Sequence, residues 1–234
     1  MRFNKLILIS FFLLHFSVFS QNSEIGIIGG TSYYLGEINP SIQIINQTEP
    51  TLGVFFRKTI KGKRYALRAG VSYGKLAAVN NRSTVESNQY KNLSFSSDLI
   101  EAYGLLEFNF IPYQIGNSTN SNFTPYVFIG AAVFRVDPKI SSTSSTLIQS
   151  QGAVIAPSMP FGLGIKINLI NNLGISIEWG MRKTFTDQID GLSKTYLEGY
   201  QLSNAQNNDW YGIVGISLNY KILTKSDHCP GVIN

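Results

Sequence analysis

The stretch that most constrains this chain is residues 160–185, PFGLGIKINLINNLGISIEWGMRKTF. Phe161, Leu163, Ile165, Ile167 and Leu169 alternate with Gly162, Gly164, Lys166 and Asn168. After Asn171-Asn172 the beat resumes, with Leu173, Ile175, Ile177, Trp179 and Met181 set between Gly174, Ser176, Glu178, Gly180 and Arg182. A period of two places successive side chains on opposite faces, so both halves read as β-strands. The Asn-Asn link favours positive φ and predicts a tight hairpin. Each strand, at roughly ten residues or more, is long enough to cross a membrane at a tilt. One face is continuously apolar; the other is small or polar and carries Lys166, Glu178 and Arg182.

Residues 1–20 are set apart from the fold. Arg2 and Lys5 precede an apolar run from residue 6 to 19, and Ser20 supplies a small residue before Gln21. That order is the pattern of a cleaved secretory signal peptide, with the mature chain starting near Gln21. The alternative is an anchoring helix, but the run is short and no stop-transfer flank follows. No later stretch is apolar for long enough to make a membrane helix. The remaining length, about two hundred residues, suits one domain. The sequence thus divides into a signal peptide (1–20), a barrel domain (21–222) and a periplasmic C-terminal tail (223–234). Without Arg2 and Lys5 the basic residues number 17 against 14 acidic. They are scattered rather than gathered on a stripe, which argues against a nucleic-acid partner. A single cysteine, Cys229, rules out an internal disulfide framework in an exported protein. Stability must come from elsewhere, and a closed lipid-embedded barrel supplies it.

Six more strands precede or follow the hairpin. Residues 24–35 (EIGIIGGTSYYL) form the first; its GIIGG lacks the preceding strand and following helix of a phosphate loop. Residues 51–59 and 64–76 follow, joined by a short turn at Lys61, Gly62 and Lys63. In 93–110, Ile100, Ala102, Leu106, Phe108 and Phe110 oppose Glu101, Tyr103, Glu107 and Asn109. Leu93 and Phe95 fall on the other parity, which predicts either a bulge in the first half of that strand or an entry from the loop. Residues 123–136 make the fifth strand and 209–221 the last, with residues 77–92, 137–156 and 186–208 read as loops.

The links alternate long and short, as in an up-and-down outer-membrane barrel of eight antiparallel strands. Tyr33, Tyr34, Tyr73, Tyr113, Tyr126, Phe134, Phe185, Trp210 and Tyr220 gather near strand ends, where aromatic girdles are expected. The competing fold is a soluble β-sandwich or lipocalin-like barrel, since alternation alone does not say which face is wet. The polar face here is mostly Gly, Ser, Asn and Ala, sized for a narrow interior. Its charges are Arg57, Arg68, Glu101, Glu107, Lys166, Glu178 and Arg182. Their signs are mixed, so they are expected to pair in the lumen, where an unpaired charge is costly.

Several strings resemble the PorG-like proteins, a family of small outer-membrane β-barrels associated with the type IX secretion system. These are EIGIIGGTSYYLGEINP (24–40), ALRAGVSYGKL (66–76), FTPYVFIGAAVF (123–134), IEWGMRKTFTDQIDGLSKTY (177–196) and DWYGIVGISLNYKI (209–222). RKTFTDQIDGLS is the most distinctive of them. Gly215-x-x-Leu218-x-Tyr220 also resembles the final-strand signal read by barrel-assembly machinery. The resemblance implies a structural subunit tied to the lipoprotein-bearing periplasmic ring of the secretion machine, and it brings no catalytic residues.

The residues themselves argue against hydrolysis. A general base at neutral pH is usually histidine. His15 leaves with the signal and His228 lies in the tail. A carboxylate pair of Glu101 and Glu107 remains as an alternative to lumen ion pairing. Asp187, Asp190 and Glu198 lack the dense acidic spacing of a calcium loop. His228 and Cys229 offer two soft ligands, too few for structural zinc. Eight strands leave an interior that side chains fill, so conduction is not expected. The expectation is a non-enzymatic barrel without cofactor or metal, in contact with outer-membrane lipids and periplasmic ring lipoproteins and with no small-molecule substrate. Lys61, Lys63, Tyr113, His228 and Cys229 are its candidate partner contacts. The other reading is a surface-exposed binding or adhesion barrel that works through its long loops.

Overall fold

Alternating strands of this kind pair until none has a free edge. In the computed structural model, β1 (Ser23–Leu35), β2 (Thr48–Thr59), β3 (Tyr65–Val79) and β4 (Leu93–Asn109) each pair antiparallel with the next. β5 (Phe123–Ser142), β6 (Val154–Ile170) and β7 (Leu173–Thr184) continue the series. β10 (Trp210–Ile222) pairs with β7 on one side and β1 on the other, closing an eight-stranded barrel. A two-residue ladder, β8 (Tyr196–Leu197) with β9 (Tyr200–Gln201), lies in the stretch the sequence reads as loop. The structure describes residues 23–35, 48–60, 62–79, 93–116, 121–142, 152–170, 172–186, 189, 196–197, 200–201 and 209–222. Residues 1–20, Lys61, the tail with His228 and Cys229, and Asp187, Asp190 and Glu198 lie outside them.

The distribution of polarity decides between water and lipid. Every barrel strand turns large apolar side chains outward, among them Ile25, Leu52, Val71, Leu106, Ile129, Ile165, Ile177 and Ile216. Exposed residues of this kind run from 37 to 69% accessible. The ionised side chains do the opposite: Arg57, Arg68, Glu101, Glu107 and Lys166 are at most 2% exposed. In water this would forfeit both hydrophobic burial and ion solvation. In hydrocarbon it is the favourable arrangement, because closure satisfies the backbone and the wall meets acyl chains. The soluble alternative is excluded by this inversion.

Three expectations need correction. The pairing of β4 runs without a register shift from Leu93↔Ser142 to Asn109↔Tyr126, so there is no bulge. The parity that turns Glu101 inward also turns Leu99 inward, and Leu99 is fully buried. The interior itself becomes apolar at that end. Residues 137–142 and 154–156 are strand rather than loop, with Pro138 opposite Ser97 and Pro157 opposite Val133. A proline removes one ladder donor and is tolerated on an edge; residues 137–142 pair with β4 alone and residues 154–157 with β5 alone. The third concerns the positive φ expected of the Asn-Asn link, since the two-residue hairpin itself forms. Ile170 pairs with Leu173, and a register shift between Asn168 and Ile170 precedes the link. Asn172 does not adopt positive φ; among described residues that conformation falls to Gly62 (87°), Lys63 (59°) and Gly116 (72°).

Candidate functional site

The interior is built in layers. Nearest the short-turn end, Glu107 lies between three cations. Its Oε2 is 2.5 Å from Lys166 Nζ and 3.0 Å from Arg57 Nε, and its Oε1 is 2.8 Å from Arg68 Nε. Arg57 reaches Glu24 at 3.0 Å, and Lys166 donates to Asn109 Oδ1 at 2.8 Å. Above them Glu178 Oε2 accepts from Arg68 Nη1 and from the Tyr126 hydroxyl, both at 2.6 Å. The guanidinium of Arg68 also lies over the rings of Phe55, Phe128 and Tyr103 at 5.2 to 5.9 Å. Those contacts suit a weakly hydrated, planar cation held away from water.

Higher still, Arg182 Nε approaches Glu101 Oε2 at 3.4 Å, and Tyr211 donates to the same oxygen at 2.7 Å. Four buried carboxylates therefore face four buried cations among the described residues. Glu101 and Glu107 are six residues apart on β4, roughly 20 Å at about 3.4 Å per residue. Each serves different cations, so they do not form a paired-carboxylate site.

Apolar side chains close the loop end. Tyr34, Leu76, Leu99, Phe134, Val136 and Ile213 pack with Ile189, which is fully buried although it belongs to the segment after β7. Asp209 ties that segment down. Its Oδ1 accepts from the Tyr34 hydroxyl at 2.5 Å and its Oδ2 from the Ile189 N–H at 3.0 Å. Thr184 Oγ1 donates to the Asp209 carbonyl at 2.5 Å.

The short-turn end is equally ordered. The Lys63 carbonyl accepts from Asn109 Nδ2 at 3.2 Å and from the Tyr113 N–H at 3.1 Å. Arg64 Nη1 donates to the Phe110 carbonyl at 3.2 Å. The link after β4 then folds inward, burying Tyr113 and Ile115. A Cβ on Gly174 would meet both within 3.1 Å, so the glycine makes room for them. Burial pushes the Tyr113 phenol above its ordinary range.

All seven charges picked from the polar faces enter the lumen network. Sequence reasoning missed Glu24, whose place beside the leading Ser23 of β1 gave too little alternation to assign a face. Tyr113 is corrected as a partner contact, because it plugs the barrel and presents no surface. The girdle needs the same correction: Tyr34, Tyr126 and Phe134 point into the core, while Tyr33 lies against Gly212 and accepts from Trp179 Nε1 at 2.7 Å. The exposed aromatic rim at the short-turn end is Tyr65, Phe110, Phe123 and Tyr220. At the loop end it is Tyr73 and Phe185.

A family model described as a domain of unknown function, DUF6089, matches residues 3–231. The chain belongs to that family. No curated protein matches it significantly. Solved structures with a similar fold include a major outer membrane protein from Thermus thermophilus, 13% identical with a TM-score of 0.47. That match covers 85% of this chain and 98% of the other. Ail of Yersinia pestis, solved with the heparin analogue sucrose octasulfate, is 12% identical over 85% of this chain and 96% of its own, TM-score 0.46. The N-terminal β-barrel domain of OprF from Pseudomonas aeruginosa is 15% identical over 86% and 98%, TM-score 0.41. The DUF6089 chain is an eight-stranded outer-membrane β-barrel.

Proposed function

We propose that this barrel is a non-enzymatic anchoring subunit of an envelope protein complex, engaging a periplasmic partner with its short-turn end. The observation that carries the reading is the order of that end. The turn around Lys63 and the link after Phe110 are hydrogen-bonded to each other, and the link is plugged into the barrel by Tyr113 and Ile115. A rigid face of this kind is what a docking site needs. The lumen offers no comparable role, since matched charges and an apolar cap fill it. The finer assignment, to a type IX secretion complex and its periplasmic ring lipoproteins, rests on the resemblance of strings such as RKTFTDQIDGLS to PorG-like proteins.

Reversing the charges of Lys61 and Lys63, or deleting residues 223–234, is expected to abolish co-purification with periplasmic ring proteins after crosslinking in intact envelopes. Barrel folding should be unaffected. Unchanged co-purification in both variants would defeat the proposal. A second reading has its own support. Asp209 and Ile189 pin the base of the 186–208 segment to the rim, and β8 with β9 gives that segment a ladder of its own. A binding or adhesion barrel would present such a segment outward. Shortening 186–208 would then remove cell or ligand attachment while leaving ring co-purification intact.

A further inference from the structure

The outer wall carries a depression that the anchoring role does not use. Gly29 occupies an outward position on β1, paired with Leu52 of β2 and Ile216 of β10. Leu52, Ile216 and Ile27 stand around it, and the missing side chain opens the middle of a groove of about 650 Å3 walled by Leu52, Ile216, Ile27, Leu218 and Tyr73. The size falls in the range of small-molecule sites. The groove runs diagonally from Tyr73, on the loop side of β3, across β2 and β1 to Leu218 on β10. The Tyr73 hydroxyl donates to Asp98 at 3.1 Å, which marks the polar boundary of the wall at that end.

We infer that this groove holds one acyl chain of a membrane lipid, entering beside Tyr73 from the loop-side leaflet. Its middle lies halfway along β1 and β10, at hydrocarbon depth, where the adaptable apolar material is lipid tail. The apolar wall offers no gain from leaving water there, so retention depends on packing. A recess forfeits dispersion contacts unless something fills it, and a flexible chain touches its floor and both sides at once. A second copy does not fit. A two-fold contact brings the same patch together with itself, and two recesses face to face leave the void unfilled.

The test uses the full chain in nanodiscs of phosphatidylethanolamine and phosphatidylglycerol containing a phosphatidylethanolamine with a photoreactive acyl chain. Gly29→Leu obstructs the groove at its middle; a Cβ there meets only the Leu52 side chain, at an ordinary 3.4 Å. Gly104→Leu, on β4, is the control, because a Cβ at Gly104 meets nothing within 4 Å. The expected result is crosslinking concentrated on the β1–β2 and β10 peptides in the wild type and in Gly104→Leu. It should be lost from those peptides in Gly29→Leu while the barrel stays folded. Uniform labelling around the wall, labelling unchanged by Gly29→Leu, or a β1-to-β1 contact between copies would each overturn the inference. None of these outcomes bears on the periplasmic co-purification that tests the anchoring role.

Discussion

Glu107→Ala is expected to destabilise the folded barrel by about 3–5 kcal/mol, the range for breaking a buried ion pair from one side. Among the described residues Glu107 is the one carboxylate in contact with all three of Arg57, Arg68 and Lys166. Removing it leaves Arg57 with Glu24, Arg68 with Glu178, and Lys166 with only the neutral Asn109 oxygen among its close polar contacts. The lumen then holds one uncompensated positive charge among buried side chains. Glu107→Gln should recover little, since it restores volume and not charge. Glu101→Ala should do less harm, because Glu101 faces one cation, Arg182, at the longer distance of 3.4 Å. Urea unfolding in lipid, followed by tryptophan fluorescence, checks the order. Equal midpoints for Glu107→Ala and the wild type would show that the network does not hold the barrel together.

The second large effect separates two neighbouring glycines. Gly30 pairs with Gly215 at the seam where β1 meets β10. A Cβ on Gly30 would lie on the Val214 carbonyl oxygen and the Gly215 Cα, with the Val214 carbonyl carbon at 2.9 Å. Those are backbone atoms of the closing strand, which do not move aside as a side-chain tip does. Overpacking costs about 1–3 kcal/mol where a core relaxes, and here relaxation means opening the seam. Gly30→Val should therefore prevent closure and leave little SDS-resistant barrel in the envelope. Gly29→Leu, one residue away and facing out, should fold normally. Comparable folded fractions in the two variants would contradict the placement of the seam.

Sequence carried the strands well where the two faces differ in chemistry. In 161–169 and 173–181 each outward residue is apolar and each inward one is glycine, polar or charged, so parity and lumen charges were legible together. The same logic failed where the interior is apolar. Leu99, Phe134 and Ile213 face inward at the loop end, and an apolar residue on either face reads alike in one dimension. That ambiguity suggested a bulge near Leu93 and put Tyr34, Tyr126 and Phe134 in the girdle. Serines misled at 137–156, because a polar composition reads as loop although both ends of the stretch extend barrel strands by pairing with one neighbour each. Which cation meets which carboxylate depends on strands up to 110 residues apart, as with Arg68 and Glu178, and no local pattern encodes it.

The central claim is that the apolar face meets lipid and the charged face does not. Trp179 sits near the middle of β7 on the outward face, 40% exposed. With Trp210→Phe it becomes the single tryptophan of the chain. Fluorescence in nanodiscs whose lipids carry bromine at mid-chain measures its surroundings directly. Strong quenching by the brominated chains, with protection from aqueous acrylamide, is the predicted result. Quenching by acrylamide and none by bromolipid would contradict the account.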